Sequence, residues 1–205
     1  MRRPINNSVE ARDLRRRIPG TQARDVTIMG KLLEQSLREA PVIKKDDYDY
    51  VVHPIADGVP FLSTELLREV TEELVALADT DVDYIITAEA MGIPLATAMS
   101  LRTNIPFTII RKRGYGLPGE RELKQQTAYS RSSMFINGLV KGDRVLIVDD
   151  LLSTGGTLRA ILEALRTMGV MVKDVMVVIE KKHAKETKKL LETEFGIAIR
   201  SLIIY

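Results

Sequence analysis

Cysteine and tryptophan are absent from the 205 residues, and histidine occurs only twice. Without cysteine there is no disulfide framework, no thiolate metal site and no sulfur nucleophile. His53 and His183 stand far apart and form no H-E-x-x-H or related cluster, so no dedicated metal cage is expected. No apolar run approaches the ~20 residues of a membrane span. Nothing at the N-terminus resembles a signal peptide, because the first long apolar stretch comes after residue 28. These absences lead to the expectation of a cytoplasmic protein with no membrane partner. Aromatics make up only 5%, yet 45% apolar and 28% charged residues suffice for one domain with a full core.

Charge is unevenly spread. Residues 1–28 hold seven arginines, no lysine and three acids, giving +4, whereas the other 177 residues carry −2. A basic arm can bind nucleic acid, but this one has no aromatics to stack on bases. The expectation is a basic, disordered extension over 1–28, no nucleic-acid partner, and a functional domain over 29–205.

The most informative stretch is Val145 to Thr157, V-L-I-V-D-D-L-L-S-T-G-G-T. An apolar run ending at a paired aspartate reads as a buried strand of a parallel sheet. A small-residue turn follows, then an amphipathic helix with Leu158, Ile161, Leu162, Leu165 and Met168 on one face. Strand, Ser/Thr/Gly turn and helix N-terminus together make an anion site, since the first helical N–H groups lack internal partners and carry partial positive charge. Asp149 and Asp150 at the strand end offer acceptors for sugar hydroxyls. A sugar phosphate fits both halves. A P-loop is excluded, because Gly155-Gly156 is not followed by lysine.

Elsewhere helical and strand patterns alternate. A helix over 29–40 and a strand over 49–53 precede a looping segment with Pro54, Gly58 and Pro60. Ser63 opens a helix, 83–87 and 106–110 read as strands around a helix near 93–102, and 111–128 is a long polar segment. Further strands are expected over 129–136, 175–179 and 197–204, with a charged helix near 183–194. This order implies an α/β domain with a mainly parallel sheet. Sites in such sheets lie beyond the carboxyl ends of the strands, which selects the turns 88–92, 111–128 and 149–157. Gly114, Gly116 and Gly119 match G-x-G-x-x-G in letters only, since Pro118 interrupts and no apolar helix follows. Lys181 and Lys182 read as a solvated helix face, His53 as structural. Ser153 does not read as a nucleophile, lacking a G-x-S-x-G elbow and a nearby histidine.

D-D-x-x-S-T-G-G-T resembles the phosphoribosyl pyrophosphate (PRPP) loop of the type I phosphoribosyltransferases. Together with V-H-P-I-A-D-G-V-P (52–60), T-A-E-A-M-G-I-P-L (87–95) and I-R-K-R-x-Y-x-L-P-G-E (110–120), it makes residues 29–205 similar to the archaeal hypoxanthine/guanine group. The resemblance implies a mainly parallel sheet flanked by helices, with a small hood and a mobile lid loop. It implies that Asp149 and Asp150 bind the ribose hydroxyls and take part in catalysis, and that Ser153, Thr154, Gly155, Gly156 and Thr157 hold the 5′-phosphate. Glu89, Ala90, Met91 and Gly92, with Arg111 and Lys112, fall to pyrophosphate, Arg113 being a weaker candidate.

Mg²⁺ bound with PRPP, a purine base and a homodimer complete what the resemblance implies. Two departures matter. Ser153 stands where familiar hypoxanthine enzymes carry an acid, and Ala128-Tyr129 replaces the lid Glu-Tyr pair of adenine enzymes. The base-binding residues are therefore left unassigned. The expected activity is purine salvage, with adenine transfer and a PRPP-sensing regulator as alternatives.

Overall fold

The computed structural model describes residues 30–45, 48–126 and 131–205. The proposed extension over 1–28 and the Ala128-Tyr129 pair lie outside them. In chain order the elements are α1 (Lys31–Glu39), β1 (Val42–Lys45), β2 (Tyr48–Val51), α2 (Pro54–Asp57), α3 (Thr64–Leu77), β3 (Tyr84–Ala88), α4 (Gly92–Thr103) and β4 (Phe107–Ile110). There follow β5 (Arg121–Gln126), β6 (Arg131–Ile136), β7 (Arg144–Leu152), α5 (Gly156–Met168), β8 (Met171–Glu180), a 3₁₀ turn (Lys182–Ala184), α6 (Lys185–Phe195) and β9 (Ile199–Ile204).

Five strands form one parallel sheet in the order β4-β3-β7-β8-β9. The chain leaves β3 toward one edge and returns to β7 on its other side, so strand order reverses between β3 and β7. That reversal opens a crevice at the carboxyl ends of the two strands. β7 is buried on both faces, and its side chains alternate between two cores. Val145 and Ile147 pack with Leu158, Ile161, Leu162 and Leu165 of α5. Leu146 and Val148 pack with Leu33 and Leu37 of α1, Val70 and Leu74 of α3, and Leu95 and Met99 of α4. Helices thus cover both faces. The Ser63 hydroxyl starts α3 by accepting from Leu66 N at 3.2 Å.

Four segments differ from the sequence expectation. The long polar segment contains β5, which pairs antiparallel with β6, and Leu123, Met134 and Ile136 anchor the hairpin in the core. Residues 54–57 form a helical turn rather than a loop, and β1 pairs with β2 as a small separate sheet. β7 runs on through Asp149 and Asp150 to Leu152 instead of ending at the acids.

Candidate active site at the carboxyl ends of β3 and β7

The turn after β7 is shaped by backbone. Gly155 caps α5 with φ +73°, and no side chain caps that helix. A Cβ on Gly155 would meet Thr187 Cγ2 of α6 at 2.5 Å, so both conformation and space demand glycine. Asp149, Leu152 and the run from Ser153 to Leu158 line a cavity of about 100 Å³. This turn brings together Ser153, Thr154, Gly155, Gly156 and Thr157 as the sequence anticipates.

Asp149 lines this cavity and Asp150 follows it on β7; both are partly exposed, and among the described residues no ion pair reaches either. Burial pushes Asp149 well above the usual carboxylate range, and the charge of Asp150 adds to the rise. Burial lifts Asp150 to about 6, with Asp57 contributing repulsion. Two adjacent acids disfavoured as anions in the free protein are placed to gain from a polyol or a cation.

Across the crevice, the turn after β3 packs tightly. A Cβ on Gly92 would fall 1.8 Å from Thr87 Oγ1 and 3.2 Å from Val148 O, which ties the start of α4 to both β3 and β7. The Glu89–Ala90 peptide is cis. Met91 reaches Gly58, whose Cβ would lie 3.4 Å from Met91 Cε. The Glu89 carboxylate accepts from Arg111 Nε at 2.9 Å and from Lys112 N at 3.1 Å. These bonds hold its carboxyl below the usual range, the Lys112 amide first and Arg111 next. Glu89, Arg111 and Lys112 are therefore one cluster, with the acid turned to its own cation. Arg111 also exchanges backbone bonds with Phe135, which fixes it to the hairpin.

The Gly/Pro segment after Arg113 is organised by Glu120. That carboxylate accepts from Tyr115 N at 2.8 Å, Gly116 N at 2.9 Å and Asn137 Nδ2 at 2.9 Å.

Sequence reasoning missed a second cluster, under the β1–β2 hairpin. His53 is buried and accepts from Ile55 N through Nδ1 at 3.2 Å, so its proton sits on Nε2, 2.9 Å from Ser36 Oγ. Burial lowers its pKa. Asp57 accepts from Tyr50 OH at 2.5 Å and from His53 N at 2.8 Å. Lys181 is not on a solvated helix face. It follows β8, donates from its backbone N to Leu152 O at 2.9 Å, and lines a small cavity with Tyr50, His53, Leu151 and Ile179. Its Nζ stands 4.9 Å from the Tyr205 ring centre. Burial lowers its pKa against the opposing pull of Asp57.

A second correction concerns Ser153, whose Oγ lies 3.1 Å from His183 Nε2. A histidine is near after all, brought there by the pairing of β7 and β8. Thirty residues of separation hide this contact from sequence inspection.

Among the described residues no group of three or more His, Asp or Glu could hold a metal, and no helix is long and apolar enough to cross a membrane.

The family model for the phosphoribosyl transferase domain matches residues 53–196. Hypoxanthine/guanine phosphoribosyltransferase of Methanothermobacter thermautotrophicus is 51% identical over 171 residues, 83% of this chain and 87% of that protein. HGPRTase-like protein 2 of Haloferax volcanii is 59% identical over 149 residues, 73% of this chain and 82% of that one. Among solved structures, adenine phosphoribosyltransferase from Thermoanaerobacter pseudethanolicus superposes with a TM-score of 0.67 at 26% identity, covering 84% of this chain and 99% of that chain. With its parallel sheet, its helix-flanked core and its Ser/Thr/Gly turn after β7, the chain belongs to the phosphoribosyl transferase domain family and has the type I fold.

Proposed function

We propose that this protein transfers the 5-phosphoribosyl group from PRPP to hypoxanthine and guanine, giving IMP and GMP with release of pyrophosphate. The observation that carries the reading is the turn after β7: an uncapped helix start, two glycines and, near the end of the strand before it, paired acids. The 5′-phosphate sits among the N–H and hydroxyl groups of residues 153–157. Asp149 and Asp150 accept from the ribose hydroxyls. The turn 89–92, with Arg111 and Lys112, faces pyrophosphate.

Displacement at ribose C1 breaks the bond to pyrophosphate as a purine nitrogen approaches, so positive charge grows on the ribose and negative charge on the leaving group. Catalysis is then positioning plus electrostatics. The two carboxylates stabilise the ribose charge, and Arg111 takes up that of pyrophosphate. Mg²⁺ suits this site, because a hard cation takes carboxylate and phosphate oxygens while keeping several waters. When bound it neutralises pyrophosphate. A homodimeric assembly and a cytoplasmic address belong to the same reading.

The relatives named for hypoxanthine and guanine, about half identical over most of the chain, favour this choice of base over the adenine enzymes that share the fold at lower identity. The test is one assay with PRPP, Mg²⁺ and hypoxanthine, guanine, adenine, xanthine, uracil and orotate in parallel. Hypoxanthine and guanine should exceed adenine, with pyrimidines inactive. A kcat/KM for adenine above that for hypoxanthine would overturn the base assignment.

A further inference from the structure

Helix α6 packs against the turn after β7, yet its sequence gives it little grip on the sheet. Among its described residues, K-E-T-K-K-L-L-E-T-E-F, only Leu191 is buried, with Phe195 packed partly against the same core. Thr187 Cγ2 and Leu191 Cδ1 nevertheless stand 2.5 and 3.4 Å from where a Cβ on Gly155 would lie. The helix thus fills the space beside the left-handed glycine that starts α5. A polar helix with one buried side chain needs a further anchor to keep that contact.

The anchor is a buried ion pair. Glu180, the last residue of β8, is 2% exposed, and its Oε2 accepts from Lys188 Nζ at 2.8 Å and from Ser201 Oγ at 2.5 Å. One carboxylate oxygen therefore joins α6 to β8 and β9. In register Glu180 lies beside Leu152, the residue immediately before the turn. Burial works against the charge of Glu180, but the bonds from Lys188 and Ser201 outweigh it and hold the carboxyl below the usual range. Stability alone does not call for such a pair, since apolar side chains of similar volume often serve a core as well or better. What the pair supplies is direction. Apolar burial is non-directional, whereas two donors meeting one oxygen fix where the helix stands.

We propose that Glu180 is a positioning residue for PRPP: through Lys188 it seats α6 so that Thr187 and Leu191 hold Gly155 and the start of α5 in the shape that receives the 5′-phosphate. The inference rests on the phosphoribosyl-transfer reading and gives a role to a residue that touches no substrate in it.

The assignment is tested on the full chain by isothermal titration with PRPP and Mg²⁺, at a temperature where circular dichroism shows the variants folded. Glu180→Gln should weaken PRPP binding by about five- to tenfold, while the KM for hypoxanthine at saturating PRPP stays within about twofold. Lys188→Met, at a partly exposed helical position, breaks the same pair and should have the same effect; it carries the test if Glu180→Gln does not fold. Thr187→Ala removes the contact with Gly155 directly. Combined with either variant it should cost little more than the worse single change, because both act through one contact. Folded variants that bind PRPP like wild type, equal losses for PRPP and hypoxanthine, or additive losses with Thr187→Ala would overturn the role of Glu180 while leaving phosphoribosyl transfer intact. A wild-type chain that binds no PRPP overturns both.

Discussion

The two sides of the crevice are built from different materials. After β7 the holding groups are backbone: a left-handed Gly155, a helix start and a turn with no room for a Cβ beside Thr187. After β4 they are side chains, with Arg111 held by Glu89 and the Gly/Pro segment held by Glu120. Backbone placement leaves few residues that can be exchanged and little to reorganise when a ligand arrives. Side-chain placement is adjustable, since the Arg111–Glu89 pair is only partly buried and contributes little to stability. The rigid side suits the part of a substrate that stays bound, and the adjustable side suits the part that leaves.

Substitutions can break or sharpen this contrast. The largest effect is expected from Gly155→Val, which meets both the positive φ and Thr187. PRPP binding should weaken by about a hundredfold or more, read by isothermal titration, together with a loss of stability. A variant that binds PRPP like wild type would relocate the phosphate site.

Asp150→Asn comes next and tests the rim between the two sides. Turnover should fall by more than about tenfold. Stability should move the other way. Because the folded pKa is raised to about 6, the group favours the folded state below the unfolded value near 4, and that advantage is lost as pH rises through about 6. The ligand-free Asn variant should therefore be more stable than wild type above pH 6, by on the order of 2 kcal/mol, and should show a flatter thermal-melting profile between pH 4 and 7. Identical melting profiles would show that the acid carries no such burden.

Arg111→Ala should act chiefly on the adjustable side, raising the KM for PRPP several-fold, about 1–2 kcal/mol, and that for the base much less. Equal changes in both constants would remove the pyrophosphate role. The smallest effect belongs to Glu120→Gln, which keeps the acceptor but loses its charge. Hydrogen exchange at Tyr115 and Gly116 should quicken modestly, with the fold unchanged and activity within about twofold; unchanged exchange would show that the bonds to Glu120 do not order that segment.

The same contrast explains what could be read from the sequence. The turn after β7 is local: the apolar run, the acids, the glycines and the amphipathic helix all fall within twenty-four residues from Val145 to Met168. A mainly parallel sheet covered by helices follows from alternation of such units. β5 was hidden because Leu123 is its single apolar side chain, so no period of two is visible in R-E-L-K-Q-Q. β1 is exposed along its whole length and owes its form to backbone pairing with β2. The contacts Lys181–Leu152 and Ser153–His183 exist because parallel strands align residues remote in sequence, and no local pattern records which strands become neighbours. Lys181 and Lys182 read as one solvated pair in the sequence for that reason.

Asp57 reaches further than its own short helix. Its charge opposes ionisation of Asp150 near the end of β7 and favours protonation of Lys181 just past β8. Neutralising this one carboxylate would ease the loss of a proton from both residues. A single acid on a four-residue helix thus couples the charge states of two groups that stand on neighbouring strands of the sheet.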